Sequence, residues 1–290
     1  MIKIDVVCTL FNCGRYIDNL INGIKNQKGV TLGNVVFPIT EKGDTSKVKE
    51  KISNAGFKWF SVNQSEFSHS LTREKAVLEY CENDIVIMIS QDVKFVNDHA
   101  FSFLAASIKE DVVYSYGKQV CSAKSIEYYV RKKNYGDKSE IISANDIGRL
   151  GLRAFFASDA FCVYHRPTFV ELNGYGHVPM MMSEDMFYAK KIIDAGYKKA
   201  YVAEAIVEHS HKFTLKQLYR RYYETGKWFA AHPEFNDYKV TDTGLKLAFY
   251  VLGQALKHFN IPVLIRWFPD MAARYLGMKK GKKSLKNEKK

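Results

Sequence analysis

Asp84-Ile85-Val86-Ile87-Met88-Ile89-Ser90-Gln91-Asp92-Val93 is the stretch that decides the fold. Its five central residues are apolar without alternation, which marks a strand covered on both faces, as the strands of parallel sheets are. The chain before it switches between the two periodicities. Residues 4–10 form a β-rich run, and Ile17, Leu20, Ile21 and Ile24 then recur at the spacing of one helix face. Residues 35–39 are a second strand candidate; Thr45 or Ser46 can cap the next helix, Val48 and Ile52 form its stripe, and Gly56 stops it. Residues 57–62 read as a third strand, and a helix through Ala76, Val77 and Tyr80 leads to Asp84. Alternation of this kind predicts an α/β fold with a parallel sheet, whose ligands sit at the C-terminal strand ends near a topological switch point. Residues 10–12, 39–44 and 90–93 should therefore converge on one crevice.

Composition agrees with a globular chain. At 290 residues, 47% hydrophobic and 14% aromatic, there is enough apolar surface for a sizeable core and about two domains, which excludes disorder and small disulfide-stapled scaffolds. The formal charge of +12 points to an anionic partner, whether nucleic acid, membrane lipid or a phosphorylated substrate. Half of that excess sits in residues 279–290, which hold seven lysines and one glutamate. The five cysteines, Cys8, Cys13, Cys81, Cys121 and Cys162, are odd in number and form no C-x-x-C pair, so neither a disulfide framework nor a zinc knuckle is indicated and a reducing cytosol fits. The run at residues 2–8 is broken by charge too soon for a signal peptide. No uncharged apolar run approaches the roughly 18 residues a membrane span needs, so no transmembrane helix is expected.

After residue 96 the pattern loosens. The Lys- and Tyr-rich residues 128–135 read as a mobile loop, and the mixed segment to about 212 as the second half of one catalytic domain begun by residues 1–95. Thr214-Leu215-Lys216-Gln217 is a capping box, and Leu215, Leu218, Tyr219 and Tyr222 carry the helix onward until Gly226 ends or bends it. Residues 245–277 are apolar and helical in pattern, interrupted by Lys257, Pro262, Arg266 and Pro269, so residues 213–278 are expected as C-terminal helices and 279–290 as a disordered polybasic tail. An amphipathic face followed by clustered lysines gives two additive signals for anionic lipid; the alternative is a helix packed on the domain with a solvated tail.

Four groups of residues could do chemistry in the crevice. Asp92 closes the buried strand, where a diphosphate and its divalent cation need a hard oxygen ligand, although a strand-end Asp also serves as a cap or turn residue. Arg73, in Phe67-Ser68-His69-Ser70-Leu71-Thr72-Arg73-Glu74, carries the planar fork that pairs with phosphate, or is an ordinary surface arginine. Ser183-Glu184-Asp185 stands before a helix with stripe Met186, Ala189, Ile192 and Ile193; the acidic pair either complements the helix dipole or supplies a general base. Glu208-His209-Ser210-His211 follows a β-like run at 201–207, so both imidazoles point to one side. One of them at most would complete a metal site with Asp92, the alternative for each being a buried structural histidine. The signatures of P-loop, zinc-protease, α/β-hydrolase and Rossmann dinucleotide sites are absent from the sequence.

Taken in order, these pieces resemble the glycosyltransferase family 2 group and, within it, the rhamnosyltransferases. The matching elements are Val6-Val7-Cys8-Thr9-Leu10-Phe11-Asn12 with Tyr16 and Gln27, FSHSLTRE, the strand ending SQDV, FFASDAFCVYHR at 155–166, Gly174, SED, and EHSHKFTLKQLYRRYYETG, spread over about residues 4–226. The resemblance implies a GT-A fold, with a Rossmann-like, mostly parallel central sheet flanked by helices and a C-terminal helical extension. It implies inverting transfer of a sugar, L-rhamnose from dTDP-rhamnose, to a hydroxyl of a lipid-linked cell-surface polysaccharide precursor. Thr9, Asn12 and Glu41 would surround the nucleoside and Arg73 the nucleotide. The family's Asp-x-Asp motif, which holds Mg²⁺ or Mn²⁺ against the diphosphate, matches Gln91-Asp92-Val93, with Asp92 the retained ligand and His209 or His211 a further metal or diphosphate contact. Asp185 matches the catalytic base, with Glu184 its neighbour, and Ser158-Asp159 matches the acceptor region.

The chain departs from the family pattern at Ile39-Thr40-Glu41-Lys42-Gly43-Asp44, where many relatives have D-x-S-x-D, at Arg73-Glu74 in place of Arg-Asn, and at Asp159 in place of Asn. These positions bear on the donor, so a UDP- or GDP-hexose transferase and a non-catalytic nucleotide-sugar-binding protein stand as alternatives. A basic nucleic-acid-binding module is disfavoured, because the charge is concentrated in the tail and no nucleic-acid motif is present. The resulting expectation is a cytoplasmic enzyme peripheral to the inner face of the membrane, docked on anionic lipid by its C-terminal helices and tail.

Overall fold

The computed structural model describes residues 1–238 and 243–288. The first part of the chain runs β1 (Ile2–Phe11), α1 (Ile17–Lys25), β2 (Val30–Thr40), α2 (Ser46–Asn54), β3 (Lys58–Val62), α3 (His69–Tyr80) and β4 (Ile85–Ser90). There follow β5 (Lys94–Phe95), α4 (Ala100–Ser107), β6 (Val112–Val120), α5 (Ile126–Asn134), β7 (Glu140–Ile142), α6 (Ile147–Leu150), β8 (Phe161–His165) and α7 (Arg166–Glu171). The chain ends with α8 (Glu184–Asp194), β9 (Lys198–Glu208), α9 (Leu215–Ala231), α10 (Thr243–Lys257) and α11 (Ile261–Glu288).

The strands join one sheet in the order β3-β2-β1-β4-β8-β6-β9-β5, with β7 paired to β9. It is parallel from β3 to β4, as the strand and helix alternation requires. Beyond β4 it turns antiparallel, because β8 returns alongside β4 and β6 alongside β8. The order reverses at β1, which has β2 on one side and β4 on the other, so the switch point opens between the C-terminal ends of β1 and β4. Leu10 sits opposite Ile39 and Thr9 opposite Ser90, which brings the three predicted segments to one edge. Ser90 N donates to Ala160 O at 2.9 Å, and Glu208 pairs with Lys94, so the start of β8 and the end of β9 reach that edge too.

The core explains the apolar run at 85–89. Val86, Ile87 and Met88 have no exposed surface, and Ile87 and Ile89 join Val6, Cys8 and Leu10 of β1, Ile17, Leu20 and Ile24 of α1, and Phe101 and Leu104 of α4. Each such side chain contributes about 1.5–3 kcal/mol by burial. β1 also buries a carboxylate. Asp5 is fully buried and accepts from the backbone of Asn34 (2.6 Å), Glu82 (2.6 Å) and Asn83 (2.8 Å) and from Asn83 Nδ2 (2.6 Å), so its desolvation is offset by four donors. The approach requires Gly33, where a Cβ would stand 2.5 Å from Asp5 Oδ1.

The chain divides into two compact units. One comprises Met1–Gln119, Gly136–Asn145 and Phe155–His209; the other Val120–Tyr135, Asp146–Ala154 and Ser210–Lys290. This replaces the expected boundaries at 95 and 212: the helical unit recruits two segments from the middle of the sequence. The expected loop at 128–135 is the end of α5, whose Ile126 and Tyr129 pack with Val251, Ala255 and Val263. Gly226 does not end α9, which continues to Ala231 from the expected Thr214–Gln217 capping box. Residues 279–288, expected as a disordered tail, continue α11, and residues 289 and 290 lie outside the described residues. No helix among the described residues is long and apolar enough to cross a membrane.

Candidate active site

The turn after β1 carries Asn12 in the left-handed region at φ +50°, a conformation uncommon for a side chain other than glycine. Thr9, half-buried, and Asn12, exposed, stand at the end of β1. Glu41, just past β2, is exposed; it pairs with Lys49 at 2.6 Å and accepts from Ser61 Oγ at 2.8 Å, contacts that hold its carboxyl below the usual range. Gln91 does not project at a ligand. Its amide nitrogen donates to Phe11 O at 2.9 Å and its oxygen accepts from Phe11 N at 2.7 Å, so it latches the end of β4 to the end of β1. The expected donor contact by Gln91 is thereby replaced by a backbone clamp.

Asp92 follows Gln91, and His209 follows β9. His209 Nε2 lies 3.3 Å from Asp92 Oδ1. His209 and Asp92 are thus within reach of one shared ligand, whereas His211 belongs to the helical unit. A carboxylate oxygen and an imidazole nitrogen are donors that a divalent first-row cation accepts. Behind His209 stands a residue the sequence reading missed: Gln119 at the end of β6, 2.8 Å from Nδ1, with its amide nitrogen donating to Ser158 Oγ at 2.7 Å. A lone glutamine in a strand carries no sequence signal of that kind.

A second cluster surrounds Asp185. Ser183, which precedes α8, also takes the left-handed region, at φ +61°. Asp185 is half-buried; its Oδ1 accepts from Met186 N at 2.7 Å and its Oδ2 from Asp159 N at 3.4 Å. Burial raises its pKa well above the ordinary carboxylate range, and the charges of Glu184 and Asp159 add to the effect. Glu184 is buried and ion-paired with Arg73; desolvation raises its pKa while Arg73 opposes the rise. Two of the expected site residues are turned inward here. Arg73, expected beside the nucleotide or on the surface, is 4% exposed and committed to Glu184 and, at 3.5 Å, to Asp159. Asp159, expected at the acceptor, is 2% exposed and accepts from the hydroxyls of Tyr114 (2.8 Å), Tyr164 (2.6 Å) and Tyr175 (2.8 Å). A buried carboxylate with three phenolic donors and a guanidinium is a structural hub. Its neighbour Ser158 is turned to Gln119.

One unit of the chain thus holds the Asp92–His209 pair and a carboxyl group, Asp185, whose proton affinity is raised. No family model matches the chain. The chain is 32% identical over 234 residues to the O-antigen chain rhamnosyltransferase RfbN of Salmonella typhimurium, covering 80% of this chain and 74% of that protein. It is 38% identical over 175 residues to the O-antigen chain rhamnosyltransferase WbaN of Salmonella anatum, covering 59% of this chain and 55% of that protein. Among solved structures, the mannosyltransferase PcManGT of Pyrobaculum calidifontis, in complex with GDP-Man and Mn²⁺, matches with a TM-score of 0.61 over 98% of this chain and 86% of that one. At 12% identity this is a likeness of fold.

Proposed function

Because the chain belongs to the family 2 glycosyltransferases of the GT-A fold, with O-antigen rhamnosyltransferases as relatives, we propose that it transfers L-rhamnose from dTDP-rhamnose, with inversion, to a hydroxyl of a lipid-linked cell-surface polysaccharide precursor. The observation that carries the mechanism is that one unit of the chain holds both the Asp92–His209 pair and a carboxylate, Asp185, whose proton affinity is raised. Thr9, Asn12 and Glu41 contact the nucleoside. Asp92 and His209 would hold the cation, and imidazole ligation favours Mn²⁺ over Mg²⁺, which prefers oxygen ligands. When bound, the cation offsets the negative charge of the departing nucleoside diphosphate.

Asp185 takes the acceptor hydroxyl's proton as that oxygen attacks the anomeric carbon from the face opposite the leaving group. The new carbon–oxygen bond forms as the bond to the diphosphate breaks. Glu184 takes no proton. Held by Arg73, it is a positioning residue whose charge adds to the basicity of Asp185. Ser158 lies at the acceptor side of the edge.

The enzyme works at the inner face of the membrane, where its acceptor's lipid is anchored. Leu245, Phe249, Phe259, Ile265, Phe268 and Tyr275, on α10, α11 and the turn between them, are each more than half exposed. The exposed charges described on these helices, among them Lys246, Lys257, Arg266, Lys279 and Lys280, are basic, while Asp270 is buried against Arg274. That combination supports docking on anionic lipid.

Calorimetry of dTDP-rhamnose, dTDP, UDP-sugars and GDP-sugars, with and without Mn²⁺ or Mg²⁺, tests the donor reading. Metal-dependent binding that selects dTDP and gains from the rhamnose is expected. Selection of UDP or GDP overturns the rhamnose donor, and binding without turnover on lipid-linked acceptor overturns the catalytic reading.

A further inference from the structure

Gln119 has no part in the donor, base or acceptor roles, yet it is 2% exposed and stands directly behind His209. Its contacts fix more than the ring's direction. With the amide nitrogen donating to Ser158 Oγ at 2.7 Å, the amide oxygen is the atom turned to His209 Nδ1, at 2.8 Å. An amide oxygen can only accept, so Nδ1 carries the ring proton and the Nε2 lone pair is directed toward Asp92 Oδ1, 3.3 Å away. An N–H donor on a carboxylate would close to about 2.7–2.9 Å. The wider gap suits two acceptors that share a cation. Ser158 belongs to the segment before β8 and Gln119 to β6, so the tautomer of a residue following β9 is held by two other parts of the sheet.

The geometry points to Gln119 as a positioning residue that keeps His209 in the Nδ1–H tautomer, leaving Nε2 available to a divalent cation shared with Asp92. This rests on the cation site proposed above. The competing arrangement turns the amide over, puts its NH₂ on Nδ1 and the proton on Nε2, and closes a His209–Asp92 hydrogen bond that leaves no nitrogen ligand.

Two measurements on the full-length protein decide it. The first is the ¹⁵N spectrum of the imidazoles in alkaline buffer without metal, where the inference expects the His209 proton on Nδ1; a proton on Nε2 overturns it. The second is Mn²⁺ titration followed by the electron paramagnetic resonance of the free ion, for the wild type, Gln119→Leu, Gln119→Glu and His209→Ala. Removing such an outer partner typically costs about 10- to 100-fold in metal affinity, so Gln119→Leu should weaken Mn²⁺ binding by that factor. Gln119→Glu, whose carboxylate also accepts from Nδ1–H, should restore it. If His209→Ala abolishes Mn²⁺ binding while Gln119→Leu keeps it within about twofold, the cation site stands and the role of Gln119 is overturned. If wild type and His209→Ala behave alike, the cation site itself fails.

Discussion

As the proposed base, Asp185 has to be ionised to accept a proton, and its surroundings resist ionisation. Burial first, then the charges of Glu184 and Asp159, raise its pKa, so kcat/KM should rise with pH along a limb displaced above the ordinary carboxylate range. Arg73 is the neighbouring charge that lowers it. Arg73→Leu should therefore move the limb to still higher pH, and an unmoved limb would show that the buried pair does not act on the base. Asp185→Asn should cut turnover about 10²- to 10⁴-fold with donor binding retained; near-normal turnover would remove the base assignment. The same substitution should raise thermal stability at neutral pH. A raised folded pKa contributes stability below the unfolded pKa that is lost as pH climbs through the folded value, so the gain from asparagine should vanish in acid. Asp185, Asp92 and the histidines could be proposed from the sequence because strand ends and helix starts are visible in it. The inward turn of Arg73 and Asp159 was not, since Glu184 lies 111 residues from Arg73 and Tyr114 lies 45 residues from Asp159 along the chain.

At the scale of elements, α9 and α11 meet backbone to backbone. A Cβ on Gly226 would stand 2.4 Å from Met278 O, one on Gly277 2.4 Å from Tyr219 O, and one on Gly281 2.0 Å from Tyr223 O. On an exposed helix, replacing glycine by alanine would stabilise by about 1 kcal/mol. Gly226→Ala should instead destabilise by about 1–3 kcal/mol through overpacking, read as a fall in the thermal midpoint followed by circular dichroism. A rise would mean that the two helices are not packed this closely. Gly226 looked like a helix terminator because local propensity is all that a sequence displays. The same limit hid α5, whose Lys- and Tyr-rich run resembles a loop until Ile126 and Tyr129 find Val251 and Ala255 more than a hundred residues on. The capping box at Thr214–Gln217 was readable in advance, its hydrogen bonds being local: Gln217 N donates to Thr214 Oγ1 at 3.2 Å.

At the scale of the whole molecule, the surplus of positive charge and the exposed apolar side chains of α10 and α11 lead to one expectation. The protein should co-sediment with vesicles containing phosphatidylglycerol, less so as salt rises, and weakly with neutral vesicles. Each lysine near an anionic surface contributes about 1 kcal/mol, so replacing Lys279 and Lys280 by glutamine should weaken binding roughly thirtyfold. Phe268→Ser should weaken it at every salt concentration, because it removes apolar contact and leaves the charge unchanged. Binding indifferent to both substitutions would remove the lipid surface from the proposal. The division of the chain into two units belongs to this scale as well. The helical unit is assembled from three separated segments, and nothing in the composition of residues 120–135 or 146–154 marks them as its members.

The order of residues by itself determined the α/β class, the strand and helix alternation up to β4, and the convergence of three segments on the crevice beside β1. Each of these follows from periodicity and from the rule that ligands gather where a parallel sheet changes direction. Only the tertiary structure decided which polar residues face that crevice and which are consumed inside the protein. Gln91, Arg73 and Asp159 are spent on Phe11, Glu184 and three tyrosines, whereas Asp92 and His209 come together with Gln119 behind His209. The physical reason is that a side chain's role depends on what desolvates it and what bonds to it, and most of those partners are supplied by distant parts of the chain.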